Sequence, residues 1–224
     1  MSMFSRLETL SAMIDIGLIP VFYNSDIEVS KNILKACVEG GAYVIEMTNR
    51  GDGAINVFIE LEKYCRHKHP DIILGAGSII DAPTAALYIA VGANFIVGPV
   101  IDEETAILCN KRKIPYSPGC GSATEIQQAH KLGVEIVKVF PGAEVGGPSF
   151  VEAIHGPCPW TLIMVTGGVD PTEESLRKWF KAGVACVGIG SKLIKREYIE
   201  SGSFDKLSSN VKEVVSLIKK IKQE

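Results

Sequence analysis

The chain has 224 residues, 46% of them hydrophobic, with mean hydropathy +0.20 and a formal net charge of -3. A charge so near balance offers no electrostatic footprint for nucleic acid or an anionic membrane, and no apolar run approaches the roughly 18 residues of a membrane span. The opening MSMFSRLETL lacks a basic start, an apolar stretch and a small-residue cleavage site, so a cytoplasmic location is expected.

In chain order, a first helix is expected from Ser5 to Ile14. Eight strand-like runs follow: GLIPVFY, YVIEMTN, DIILGAGS, NFIVGP, IPYSPG, EIVKVFP, TLIMVTGG and ACVGIGS. Between them lie segments of helical period, several opening on Asp, Ser or Pro-Thr and several ending in Gly. The last segment, FDKLSSNVKEVVSLIKKIKQE, places Val211, Val214, Val215, Ile218 and Ile221 at helical spacing, with lysines toward its C-terminal end. Alternating strands and helices imply a parallel sheet, and eight such units imply a (β/α)₈ TIM barrel with an additional N-terminal helix. No linker interrupts the pattern, so a single domain over residues 1–224 is expected. An open doubly wound sheet is the competing architecture, and GAGSII and GIGSKL both lack the third glycine of the dinucleotide fingerprint.

The six cysteines are scattered without a CxxC pair and are expected to be reduced. CRHKHP, from Cys65 to Pro70, gathers one Cys and two His. With no further ligands at suitable spacing, it is read as a polar helix end before a proline turn, and no metal is expected.

Active sites of barrels lie at the C-terminal ends of the strands. The second run carries Glu46, Thr48 and Arg50, which share one face if the extended conformation persists to Arg50. In the sixth run the same alternation sets Ile136, Lys138 and Phe140 against Val137 and Val139. The valines suit the outer face beneath apolar helices, which turns Lys138 inward toward Glu46. A structural ion pair is one reading. The other is chemical use, because an amine in an apolar interior has a depressed pKa and stays partly nucleophilic. At the seventh and eighth strand ends, VTGGV and GIGS offer backbone N–H groups, and Ser191 a hydroxyl, where barrels often bind phosphate.

The order and spacing of VIEMTNR, GAGS, FIVGP, PGC, KVFPG, TGGV and GIGS resemble the class I 2-keto-3-deoxy-6-phosphogluconate (KDPG) and 4-hydroxy-2-ketoglutarate (KHG) aldolases over almost the whole chain. The resemblance implies a trimeric, metal-free aldolase that forms a Schiff base and needs no other cofactor. Its substrate would be a keto acid, split reversibly to pyruvate and an aldehyde phosphate, glyceraldehyde 3-phosphate, or in the KHG case to pyruvate and glyoxylate. On this resemblance Lys138 is the Schiff-base lysine and Glu46 the proton-transfer carboxylate. Arg50 and Ser78 hold the pyruvate carboxylate, Pro99 and Phe140 line the pocket, and Thr166 contacts substrate. Gly167, Gly168, Gly190 and Ser191 form the phosphate end. Serine stands after GAG where threonine is usual, VGP lacks the serine many members carry before the proline, and the turn after TGGV runs DPTEES, more acidic than in some relatives. A galactonate-derived isomer is an alternative substrate. An isomerase or epimerase using Glu46 as base without a Schiff base is an alternative reaction, and a barrel that binds a sugar acid phosphate without turnover is a non-catalytic reading.

Overall fold

The computed structural model describes residues 2–224. Helix α1 (Arg6–Ile16) is followed by β1 (Leu18–Phe22), α2 (Ile27–Glu39), β2 (Val44–Thr48), α3 (Ala54–Lys68), β3 (Ile73–Gly77), α4 (Ala82–Ala90) and β4 (Ile96–Val97). Then come α5 (Glu103–Arg112), β5 (Tyr116–Ser117), β6 (Gly119–Cys120), α6 (Ala123–Lys131), β7 (Ile136–Val139), α7 (Gly147–His155) and β8 (Leu162–Thr166). The chain finishes with α8 (Glu173–Lys181), β9 (Cys186–Ile189), α9 (Arg196–Glu200) and α10 (Phe204–Ile221). Most of the polar residues at the expected helix starts cap: Ser5, Asp26, Asp81, Asp102, Ser122 and Thr172 each accept a backbone N–H of the first turn, whereas α3 begins from Gly53 without a side-chain cap from Asp52. The CRHKHP segment is the end of α3, where His67 Nδ1 lies 2.7 Å from the Lys63 carbonyl oxygen and His69 packs edge-on against Tyr64.

All strand pairs are parallel, in the order β5-β4-β3-β2-β1-β9-β8-β7-β6. The fifth strand-like run is broken in two at Pro118, whose ring nitrogen has no hydrogen to donate. Its first half, β5, pairs with β4 and its second half, β6, with β7. The Pro118 carbonyl still accepts the Lys138 N–H at 3.0 Å. The sheet therefore closes on itself through this run, and the expected (β/α)₈ barrel is the fold, with one strand in two pieces.

Strand parity divides the core. Ile45, Met47, Leu74, Ala76, Ile96, Val137, Val139, Ile163, Val165 and Val187 face outward and join the helices in one large cluster. Ile19, Val44, Ile73, Phe95, Val97, Ile136, Met164 and Cys186 face inward and form a second cluster, plugged by Leu10, Met13 and Ile16 of α1. The added N-terminal helix is thus the floor of the barrel. Above this apolar floor the inward positions of β3 are Gly75 and Gly77, and small residues there leave the interior open. A Cβ on Gly75 would overlap the Phe95 ring, and one on Gly77 would overlap the Glu46 carboxylate.

Substituting Gly75→Ala should therefore destabilise the fold by about 1–3 kcal/mol, as overpacking of a filled core does. Urea unfolding measures it; an unchanged midpoint would show that the Phe95 ring moves aside at no cost.

Candidate active site at the C-terminal mouth of the barrel

Two residues above the apolar floor, β2 and β7 place ionisable groups in the interior. Glu46 follows Val44 on the inward face of β2, and Lys138 follows Ile136 on that of β7. Glu46 is 1% exposed and Lys138 6%. Among the described residues no ion pair within 4.0 Å joins them. Glu46 Oε2 has no hydrogen-bond partner at all. The Lys138 ammonium instead lies over the Phe140 ring, 4.7 Å from its centre. The structural ion pair considered from sequence is therefore not made.

Both groups are pushed toward neutrality. Burial drives the Lys138 amine below its ordinary 10.5, opposed by the Glu46 carboxylate and reinforced by the Arg50 charge. Burial likewise drives Glu46 above its ordinary 4.5, opposed by Lys138 and by Arg50.

The strand does not carry Arg50 as far as expected. β2 stops at Thr48, and the Arg50 N–H bonds back to the Thr48 carbonyl at 2.9 Å, so Arg50 reaches the mouth from a turn. Its Nε donates to Ser78 Oγ at 3.2 Å, which joins the two residues paired from sequence. Ser78 has φ 58, in the left-handed region, where a β-branched side chain is a genuine outlier and serine is easier to accommodate.

A cavity of about 670 Å³ opens at this mouth. Thr48, Arg50, Phe140 and Thr166 line it near the buried pair, and Gly167, Gly168, Gly190 and Ser191 line it further out. Thr166 Oγ1 is buried without a partner and sits where a Cβ on Gly188 would come within 2.6 Å. Lys138, Glu46, Ser78 and Pro99 are not in its walls. Lys138 meets it through the Phe140 ring. Pro99 backs onto Gly119, the register partner of Lys138, so closely that its carbonyl fills the place of a Cβ there.

Sequence reasoning missed several lining residues. Tyr23 stands at the end of the first strand-like run, a position that could have flagged it, and Lys192 and Arg196 lie just beyond GIGS. The acidic turn after TGGV is largely neutralised: Asp170 pairs with Lys192 at 2.6 Å, Glu173 with Arg177 at 2.7 Å and Glu174 with Lys178 at 2.8 Å. Among the described residues no cluster of three His, Cys, Asp or Glu has metal-holding geometry.

The family described as KDPG and KHG aldolase matches residues 10–210. A 2-dehydro-3-deoxy-phosphogluconate aldolase of Pseudoalteromonas atlantica is 31% identical over 199 residues, covering 89% of this chain and 90% of its own. The KHG/KDPG aldolase of Escherichia coli is 28% identical, covering 88% of this chain and 90% of its own. In three dimensions the chain is similar to a KDPG aldolase from Legionella pneumophila holding pyruvate as a covalent carbinolamine, with TM-score 0.84, 28% identity, and coverage of 92% of this chain and 97% of that one.

The two shifted groups make a linked stability prediction for Lys138→Met. The lowered amine burdens the native state fully below its folded pKa, and that burden fades as pH rises toward 10.5. The raised carboxylate burdens it above its own folded pKa, and more so once Lys138 no longer opposes the shift. Both signs agree: the stability of Lys138→Met relative to the parent should be greatest in acid and decline with rising pH. A difference that grows with pH, in melts across that range, would contradict the assigned shifts.

Proposed function

The chain belongs to the KDPG and KHG aldolase family, and from that premise we propose that Lys138 forms a Schiff base with the keto group of a 2-keto-3-deoxy-6-phospho sugar acid of the phosphogluconate type. The observation that carries this reading is a buried amine, lowered in pKa and without a carboxylate partner in contact, beside a cavity at the strand ends. The neutral amine adds to the C2 carbonyl carbon to give a carbinolamine, which loses water to become the protonated imine. The C3–C4 bond then breaks, its electrons flowing into the imine as the C4 hydroxyl loses its proton, and the aldehyde, glyceraldehyde 3-phosphate, departs. Protonation of the enamine at C3 and hydrolysis release pyruvate. KHG would be cleaved in the same way to pyruvate and glyoxylate.

In this reading Glu46 takes the C4 hydroxyl proton and returns a proton to C3, directly or through one water. Its unpartnered Oε2 and raised pKa suit a group that must both accept and give a proton. Arg50, held by Ser78 through Nε, leaves its two terminal nitrogens for the substrate carboxylate, a geometry that favours bidentate pairing. Thr166 offers its unpaired hydroxyl, Phe140 and Pro99 shape the apolar wall beside the imine, and Gly167, Gly168, Gly190 and Ser191 receive the phosphate. Such chemistry asks for no metal and no cofactor beyond the lysine.

The reading extends to assembly and location. Ile80, Leu87, Val100 and Ile107 lie 61%, 57%, 52% and 42% exposed on α4, α5 and the loops before them, beside the mouth of β3 and β4, and suit the contact face of a homotrimer. No helix of the described residues is long and apolar enough to cross a membrane, and all six cysteines are free, in keeping with a reducing cytoplasm.

Borohydride reduction with pyruvate should leave a stable adduct on Lys138, located by peptide mass, and Lys138→Ala should abolish cleavage without loss of fold. Bound keto acid with no adduct would refute the Schiff base and favour an isomerase. Glu46→Gln separates the two roles. The Glu46 charge raises the Lys138 pKa, so its removal should shift the pH profile of pyruvate trapping toward acid while aldol cleavage falls by about 10²–10⁴-fold, the usual worth of general acid–base catalysis. A trapping profile that stays put or moves toward alkali would disprove the coupling.

A further inference from the structure

We propose that Lys192 is a specificity-determining cation at the far end of the cavity, positioned by Asp170, and that it discriminates a phosphorylated from an unphosphorylated substrate terminus. The inference rests on the aldolase reading above. The outer wall of the cavity is formed by Gly167, Gly168, Gly190 and Ser191, which contribute only neutral donors. Besides Arg50, which faces the carboxylate end, the basic side chains of that wall are Lys192 and Arg196. Arg196 is cancelled within the wall itself, because its partner Glu200, 2.6 Å from Nε, also lines the cavity. Lys192 differs. Asp170, 2.6 Å from its Nζ, is not part of that wall and borders a separate groove between α7 and α8. Of this pair Lys192 lines the cavity and Asp170 does not.

Both side chains are half exposed, 50% each, so the ion pair that holds Lys192 is weak and screened. A phosphate dianion beside Ser191 offers a stronger, charge-assisted bond. A lysine stem with several rotatable bonds allows the ammonium to lean from Asp170 toward it. Asp170 then has a definite effect: it keeps Lys192 at the rim when the site is empty and competes with the anion when it is full.

Steady-state kinetics of the full chain with KDPG and with 2-keto-3-deoxygluconate, its unphosphorylated counterpart, test this. Lys192→Met should raise KM for the phosphorylated substrate about tenfold more than for the unphosphorylated one, the scale of one charge-assisted hydrogen bond, with a smaller effect on kcat. Asp170→Asn should lower KM for the phosphorylated substrate, and that gain should vanish in the double variant, because Asp170 acts through Lys192. Lys206→Met removes the same charge from α10 and should change neither. Equal KM changes for both substrates in Lys192→Met, or an Asp170→Asn effect that survives in the double variant, would overturn the assignment. Pyruvate trapping on Lys138 in the parent chain keeps the two readings apart: its failure removes the Schiff base, whereas its success with no substrate discrimination removes only the role of Lys192.

Discussion

The Glu46 carboxylate occupies space that any side chain at Gly77 would take, and the same exclusion repeats around the mouth of the barrel. Gly75 makes room for the Phe95 ring, Gly119 for the backbone of Pro99, and Gly188 for the hydroxyl of Thr166. A parallel barrel ordinarily fills its interior with layers of bulky branched side chains. Here one apolar layer, from Ile19 to Cys186, rests on α1 and completes the core. The layer above it is built largely of glycine, and that is where a carboxylate, an amine and a hydroxyl find room. Stability and chemistry are thereby separated by height within the same interior.

That separation explains how two ionisable groups tolerate so dry a place. A pair in direct contact would gain Coulomb energy but would hold both groups in their charged forms. Glu46 and Lys138 are close enough to influence each other and too far apart to bond, so burial remains the largest influence on each. Both the amine and the carboxylate are held toward their neutral forms. The cation–π contact with Phe140 gives the ammonium an orientation without a competing acid.

Much of this was legible in the sequence because strand and helix periods differ so sharply. The alternation of runs gave the barrel, and parity along EIVKVFP and VIEMTNR turned Lys138 and Glu46 to the same interior. The phase of GAGS held a further signal, since Gly75 and Gly77 recur every second residue on the inward face of Ile73, but their meaning depends on Phe95 and Glu46, which only the fold brings near. Other features lay beyond pattern. Pro115 and Pro118 mark the fifth run as a poor continuous strand, but that its halves pair with different neighbours shows only in the fold. The turn that carries Arg50 is flanked by Asn49 and Gly51, turn residues that alternation along the strand alone does not weigh. α9 is five residues long, too short for a helical period to declare itself. The acidic residues after TGGV looked like a charge problem until their partners on α8 and beyond GIGS became visible.

The pairing of β1 with β9 carries a consequence for how the molecule is made. One edge of the first strand has no partner until residues 186–189 exist, so a ribosome releases most of the chain with that edge bare. The carboxylate is synthesised early and the amine nearly a hundred residues later, on strands that β1 and β9 later bring into one ring. A nascent or truncated chain that stops short of β9 therefore has both residues and no closed interior to hold them. Neither the burial of Lys138 and Glu46 nor the pKa shifts that follow from it exist before β9 closes the ring.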